Sequence, residues 1–433
     1  LLAATDAGAV AVLVPETPIA APQYAGVSGS LATTPGFACN ADGCLAAWRD
    51  GRQFLGYRIW ARRLRTDGTP RDAAAFLISV DNFDATDPVV ATDGTRFLVG
   101  WTDLFEKAYL TRVDADDSLH TESLSVADGY TGLVNPSALA SNGDGYLFAL
   151  GYTVGAPGGT IRGLRTDRDG HILDATPFLI TDDPEARFYA DVVWTGTQYL
   201  VVWNQGQGDD ADAYGARVLA DGTVMDPSGF FVATLSGFSN WPRLAAGGGK
   251  LLLASGRSSG SSGGGVTAFL LDADGRNGHA VSLPSVASSG TYATAAWNGS
   301  TFVVNWIGSL GPVAVRVAPN GTVMDSAPLS IGFAGQSETP ASAVSGGTTF
   351  VVFIDRTYNG VPVRVASLSA AGVPNFASDP PLDVCAAPQR LLATARGAGH
   401  TLIVWADDTQ GKYASALLAA RVSDDGVVLD APP

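Results

Sequence analysis

Four histidines, His120, His171, His279 and His400, are the chain's entire supply of imidazole, and no two stand at metal-ligand spacing. Histidines so dispersed build neither a zinc centre nor a Ser-His-Asp triad unless the fold converges them. Gly260-Ser-Ser262-Gly-Gly264 fits the G-x-S-x-G pattern of a nucleophile elbow. That elbow needs a strand before it and a helix after it, whereas this one lies in a Gly/Ser run over residues 255–265 and reads as a connector. Gly247-Gly-Gly-Lys250 lacks the Ser or Thr of a phosphate loop and reads as a turn. Carboxylates are more plentiful. Calcium needs several oxygens from one bent segment, and the best candidate is Asp209, Asp210 and Asp212, on a longer loop. Asp114-Ala-Asp116-Asp117, Asp167-Arg-Asp169-Gly170 and Asp272-Ala-Asp274 are similar, but they coincide with turn positions where Asp is expected for backbone reasons. No cofactor is expected beyond that possible calcium. Asp183, Arg187, Asp191 and Arg243 would supply hydrolase or lyase chemistry if they met in one pocket.

Something must position these groups, and the chain shows what. Tyr199-Leu-Val-Val-Trp203-Asn204 recurs in degraded form about every fifty residues, which marks an array of one supersecondary unit. Eight anchors align at the Trp position: Trp48, Trp101, Leu150, Trp203, Ala254, Trp306, Ile354 and Trp405. A second phrase follows each, clearest as Arg165-Thr-Asp-Arg-Asp169-Gly170 and Arg217-Val-Leu-Ala-Asp221-Gly222. Short alternating runs rich in Val, Phe, Tyr and Trp, divided by Asp-Gly and Asn-Gly pairs that supply positive φ, predict four antiparallel strands per unit, A to D. No helical period is sustained. Such units cannot bury their apolar faces alone, so the expectation is one all-β domain over residues 1–433. It is an eight-bladed propeller, with seven blades as the alternative. The last unit lacks a convincing strand D, while residues 9–14 and 30–33 read as extra strands. An N-terminal strand completing the final blade is therefore expected to close the ring.

The formal charge is −16, with 26 basic against 42 acidic residues and no basic stripe, which argues against nucleic acid as a partner. No run is long and apolar enough to span a bilayer as a helix. The chain starts at Leu1 without a basic leader, as if an export signal had been trimmed. Cys39 and Cys44 flank the tight A to B turn of the first unit, a spacing a disulfide can bridge, and oxidising compartments favour such bonds. Cys385 is left over. The expected location is extracellular, periplasmic or on the outer cell surface.

In an up-and-down blade the A to B and C to D turns emerge at one end, and the B to C and D to A connections at the other. The first pair is short and uniform here; the second is long and different in every unit. Varied loops on a rigid scaffold usually carry binding, and aromatic side chains beside polar groups suit sugars or protein surfaces. Phe83, Tyr130, Phe188, Tyr189, Phe238, Trp241, Arg243, Tyr292 and Tyr358 are the candidate ligand-binding residues. The Trp-x-Asp carboxylates, Asp50, Asp103, Asp355 and Asp407, are read as caps on the end of strand B. No residues are assigned to catalysis.

Trp-x-Asp followed by Tyr-Gly-Ala-Arg-Val-x-x-Asp-Gly-x-x-x-Asp, read most clearly at Trp203 to Asp226, where Asn204 stands near the Asp place, resembles the repeats of exported bacterial propeller proteins. The order differs from the sialidase Asp box. The resemblance spans nearly the whole chain but brings no functional residues with it. The leading expectation is a secreted or surface-exposed, non-catalytic binding or assembly module whose long-loop face meets a glycan or another surface protein. Alternatives are a propeller glycoside hydrolase or lyase with carboxylates in the central funnel, and a structural subunit of a surface layer or fibre.

Overall fold

A computed structural model describes residues 24–25, 35–50, 57–79, 85–103, 107–116, 118–126, 134–153, 159–181, 186–206, 212–235, 239–257, 265–284, 292–308, 311–332, 337–355, 363–375, 385–386, 389–397, 400–407, 416–423 and 429. Every named element is a strand. Seven sheets are four-stranded and antiparallel, each built from four strands consecutive in the chain. The fourth runs Ala186–Trp194, Tyr199–Gln205, Asp212–Val218 and Phe230–Thr234, within a few residues of the sequence expectation. Among the described residues, no helix is long and apolar enough to cross a membrane.

The chain divides into two compact units, Gly26–Val384 and a smaller one of Leu1–Ala25 with Cys385–Pro433. In the larger unit the inner strands neighbour one another in chain order: Gly36–Asn40, Val89–Thr92, Val134–Ser141, Ala186–Trp194, Ser239–Gly247, Ala293–Trp297 and Ser337–Ser345. The last of these lies against the first, so the propeller ring closes at seven blades rather than eight. The eighth repeat is a three-stranded sheet, Gln389–Gly397, His400–Asp407 and Ala416–Ser423, and belongs to the smaller unit. Closure by an N-terminal strand is corrected as well. Each ring sheet is complete from its own strands, and Tyr24–Ala25 pairs antiparallel with Cys385–Ala386. Residues 9–14 and 30–33 lie outside the described residues.

Sheets pack through both faces of strand B, which explains its unbroken apolar runs. Tyr199, Val201 and Trp203 meet Leu147 and Ala149 of the third sheet, while Leu200 and Val202 meet Leu251 and Leu253 of the fifth. The closing interface has the same design. Cys44, Ala46 and Trp48 of the first sheet pack on Phe350, Val352 and Val363 of the seventh.

Register sharpens the repeat alignment at two places. Val218 pairs with Tyr199, and its counterparts Leu271 and Leu368 pair with Leu251 and Thr349. The Trp203 place therefore falls to Ser255 and Phe353, one residue from Ala254 and Ile354. Ala254 instead faces the sixth sheet, whereas Trp203 faces the sheet before its own. A one-residue slip moves every side chain to the other face, and a run apolar on both faces carries no alternation from which to read the parity.

Candidate functional site

Of the residues proposed for ligand binding, Phe83, Tyr130, Phe238 and Tyr358 lie outside the described residues, as do Asp183, Asp209 and Asp210. The others gather at three consecutive blades. Arg187, Phe188 and Tyr189 lie on the inner strand Ala186–Trp194, Trp241 and Arg243 on Ser239–Gly247, and Tyr292, half-buried, immediately before Ala293–Trp297. The expectation that these aromatics sit in D to A loops is corrected for Phe188, Tyr189 and Trp241. Aromatic residues favour extended backbone, and here the inner strands begin earlier than the loops were drawn. The pairing register jumps between Ala186 and Ala190, and again between Asn240 and Arg243, as at a β-bulge. The inner strands Val134–Ser141, Ser337–Ser345 and Gln389–Gly397 shift register near the corresponding place, so the bulge is a recurring feature of the repeat. The two in the fourth and fifth blades enclose Arg187, Phe188, Tyr189 and Trp241.

Asp191 and Arg243 do meet. Asp191 Oδ1 stands 3.6 Å from Arg243 Nη1 of the next blade, and its Oδ2 accepts a 2.7 Å hydrogen bond from Leu244 N. Burial pushes the Asp191 carboxyl above the usual range, against the opposing pull of Arg243 and the Leu244 N–H. A carboxylate engaged by a backbone donor and a guanidinium of the neighbouring blade joins two inner strands. Asp212, the described member of the calcium candidates, is half-buried and opens the strand Asp212–Val218, paired with Gln205 and Thr234.

A cluster at the opposite, short-turn end has metal-like spacing. Ligand atoms of Asp167, Asp169 and His171 all lie within 4.8 Å of one another. Their charges are already matched. Asp167 accepts from His171 N at 2.9 Å and lies 3.0 Å from its Nδ1, which raises the imidazole pKa. Asp169 pairs with Arg96 at 2.6 Å and Arg112 at 3.4 Å.

Sequence reasoning passed over what this end is for. Arg63 and Asp72, Arg165 and Asp174, Arg217 and Asp226, and Arg316 and Asp325 each stand nine residues apart and form one repeated corner. In every copy the Arg backbone N–H donates to the Asp carboxylate, at 2.7, 2.7, 3.1 and 2.8 Å, while the guanidinium grips both carboxylate oxygens. The free arm reaches the following blade: Arg165 Nη1 donates to Asp221 O, and Arg316 Nη1 to Ala370 O at 3.3 Å. A nine-residue Arg to Asp spacing in five of the eight units, the fifth being Arg421 and Asp430, whose Asp lies outside the described residues, was the available signal. A related knot centres on Asp93, whose carboxylate accepts from Arg96 N, Thr95 N and Arg168 Nε at 2.7, 2.8 and 2.9 Å. Burial alone would raise the Asp93 pKa, but these donors outweigh it and hold the carboxyl far below the usual range.

Two expectations from the motifs are met. Asp103, the one of the four Trp-x-Asp carboxylates whose side chain is described, caps the end of its strand, with Oδ1 accepting from Lys107 N at 3.0 Å and Oδ2 from Tyr109 Oη at 2.9 Å. Cys39 and Cys44 form a disulfide across directly paired positions, S–S 2.02 Å.

No known family model matches the chain, and no curated protein does. Solved structures share the fold. A puromycin hydrolase is 14% identical with a TM-score of 0.54, covering 89% of this chain and 62% of its own. A variant of puromycin hydrolase complexed with PGG is 15% identical with a TM-score of 0.53, covering 90% and 60%. Prolyl oligopeptidase B from Galerina marginata is 11% identical with a TM-score of 0.50, covering 86% and 55%. The chain thus spans less than two thirds of the length of these proteins.

Proposed function

We propose that the ring is a non-catalytic binding module, working outside the cytoplasm, whose long-connection end meets a glycan or another surface protein. One observation carries the reading. The bulged inner strands of the fourth and fifth blades bring Phe188, Tyr189 and Trp241 next to the Tyr292 end of the sixth, so aromatic residue types concentrate at neighbouring strands of a rigid scaffold. Asp191 and Arg243, two of the four residues named for the hydrolase alternative, are engaged in joining blades. The disulfide supports an oxidising compartment. Glycan-array binding with and without calcium tests the idea, using Trp241→Ala and Tyr292→Ala variants whose folding is confirmed by circular dichroism. Loss of a specific glycan signal in both variants is the expected result; unchanged binding in both, or turnover of the bound glycan, overturns it.

One observation favours a second reading, in which the ring is the propeller portion of a larger amide hydrolase: the likeness to puromycin hydrolase covers only about 60% of those chains. Amide hydrolysis assayed on the naturally expressed protein, with the ring alone as control, decides between them.

A further inference from the structure

Six of the seven interfaces in the ring join blades that follow one another in the chain. The interface between the seventh and first blades has no such covalent continuity, and among the described residues no strand is shared across it, because each of the seven four-stranded sheets is assembled from its own consecutive strands; the one sheet of non-consecutive strands is the Tyr24–Ala25 and Cys385–Ala386 pair of the smaller unit. What holds the seam between the seventh and first blades is an apolar cluster of Phe37, Cys44, Trp48, Phe350, Val352 and neighbours, with Gly68 beneath the Phe350 ring. A Cβ on Gly68 would lie 2.6 Å from Phe350 Cε1, and its φ of +83° also demands glycine.

One hairpin ties the seam to its surroundings. Asn40 O accepts a 3.1 Å hydrogen bond from Ser345 Oγ of the seventh blade, and Asn40 Nδ2 donates at 3.1 Å to Thr95 O of the second. Asn40 Oδ1 holds the turn itself by accepting from Asp42 N and Gly43 N at 2.9 and 3.1 Å. Three blades thus converge on residues 39–44, the segment the Cys39–Cys44 disulfide encloses. Cys44 is 1% exposed within the seam cluster; Cys39 is half-buried at its edge.

We infer that the Cys39–Cys44 disulfide is a thiol-sensitive clasp on the ring, and that its reduction loosens the seam between the seventh and first blades selectively. The reductant is a dithiol. One of its thiolates attacks Sγ of Cys39, the less buried of the two residues, forming a mixed disulfide while Cys44 leaves as a thiolate and takes up a proton. The reductant's second thiol then closes its own disulfide and releases Cys39 as a thiol, so two electrons and two protons pass to the protein. Losing a cross-link around so short a loop increases the relative population of open hairpin by up to roughly 40-fold in the chain-entropy estimate.

Hydrogen exchange read by mass spectrometry tests this on the oxidised protein, on the same protein reduced with dithiothreitol, and on a Cys39→Ala, Cys44→Val double variant that keeps the buried position apolar. The expected result is exchange at least ten-fold faster in Gly43–Asp50 and in Thr348–Asp355 across the seam, reversed by reoxidation. Tyr199–Gln205 and Lys250–Arg257, at an interface with chain continuity, should not change. Acceleration everywhere, acceleration limited to the hairpin, or none at all overturns the inference.

Discussion

Replacing Asp226 by Ala removes the acceptor on which the fourth blade's corner is built. Its carboxylate takes Arg217 N at 3.1 Å, Arg217 Nε at 2.7 Å, Arg217 Nη2 at 3.0 Å, and Arg276 Nη2 of the fifth blade at 3.3 Å. A backbone N–H bonded to a charged acceptor contributes about 1.5–3 kcal/mol. The guanidinium pair, with side chains 22% and 12% exposed, adds about 0.5–1 kcal/mol after solvent screening. Asp226→Ala is therefore expected to cost about 3 kcal/mol, and Asp226→Asn, which keeps an oxygen for Arg217 N, about 1 kcal/mol. The Arg217 side-chain hydrogen bond, ahead of burial, which opposes it, holds the Asp226 pKa below its ordinary value. The stabilisation is thus fully present above the unfolded carboxylate value of about 3.9 and is lost as pH falls through the lower folded value. Urea denaturation at pH 7 and again in acid below about pH 4 measures both effects. Equal losses for the Ala and Asn variants would refute the role given to the backbone acceptor. A loss under about 1 kcal/mol would reduce the corner to an ordinary surface ion pair.

Gly222 and Gly196 have similar φ, +89° and +98°, but a Cβ on Gly222 would sit 3.0 Å from Arg165 Nε, while one on Gly196 meets nothing within 4 Å. Gly196→Ala is expected to cost about 1–2 kcal/mol for backbone strain alone, and Gly222→Ala distinctly more; equal urea midpoints would discount the inter-blade arginine. Trp203 is fully buried between the third and fourth blades, so Trp203→Ala is expected to cost about 3–5 kcal/mol, and a variant with unchanged midpoint would contradict that packing. Asp191 differs in sign from Asp226, because burial raises its pKa. Wild-type stability should fall as pH climbs from the unfolded value of about 3.9 through the higher folded one, so Asp191→Asn gains on wild type over that window. A pH-independent difference between the two proteins would overturn the assignment.

Much of the local architecture was written in residue order. Short apolar runs rich in Val, Phe, Tyr and Trp ending at Trp48, Trp101 and Trp203, Asp-Gly pairs where positive φ is needed, and cysteines on either side of one hairpin specify strands, turns and a disulfide through interactions a few residues long. Blade number was decided elsewhere. Eight repeats were countable, but whether Phe350 seats on Gly68 or on an eighth blade depends on how the small twist and splay at each interface accumulate around a ring, and no single repeat encodes that total. Register at Ala254 and Ile354 was hidden for a related reason: strands covered on both sides show no polar face to set their parity. The candidate site divides in the same way. Sequence named Asp191, Arg243, Trp241 and Tyr292 from residue type and loop length. The bulges that draw the aromatics onto inner strands, and the contact that commits Asp191 to Leu244 of the next blade, exist only once neighbouring sheets are in place.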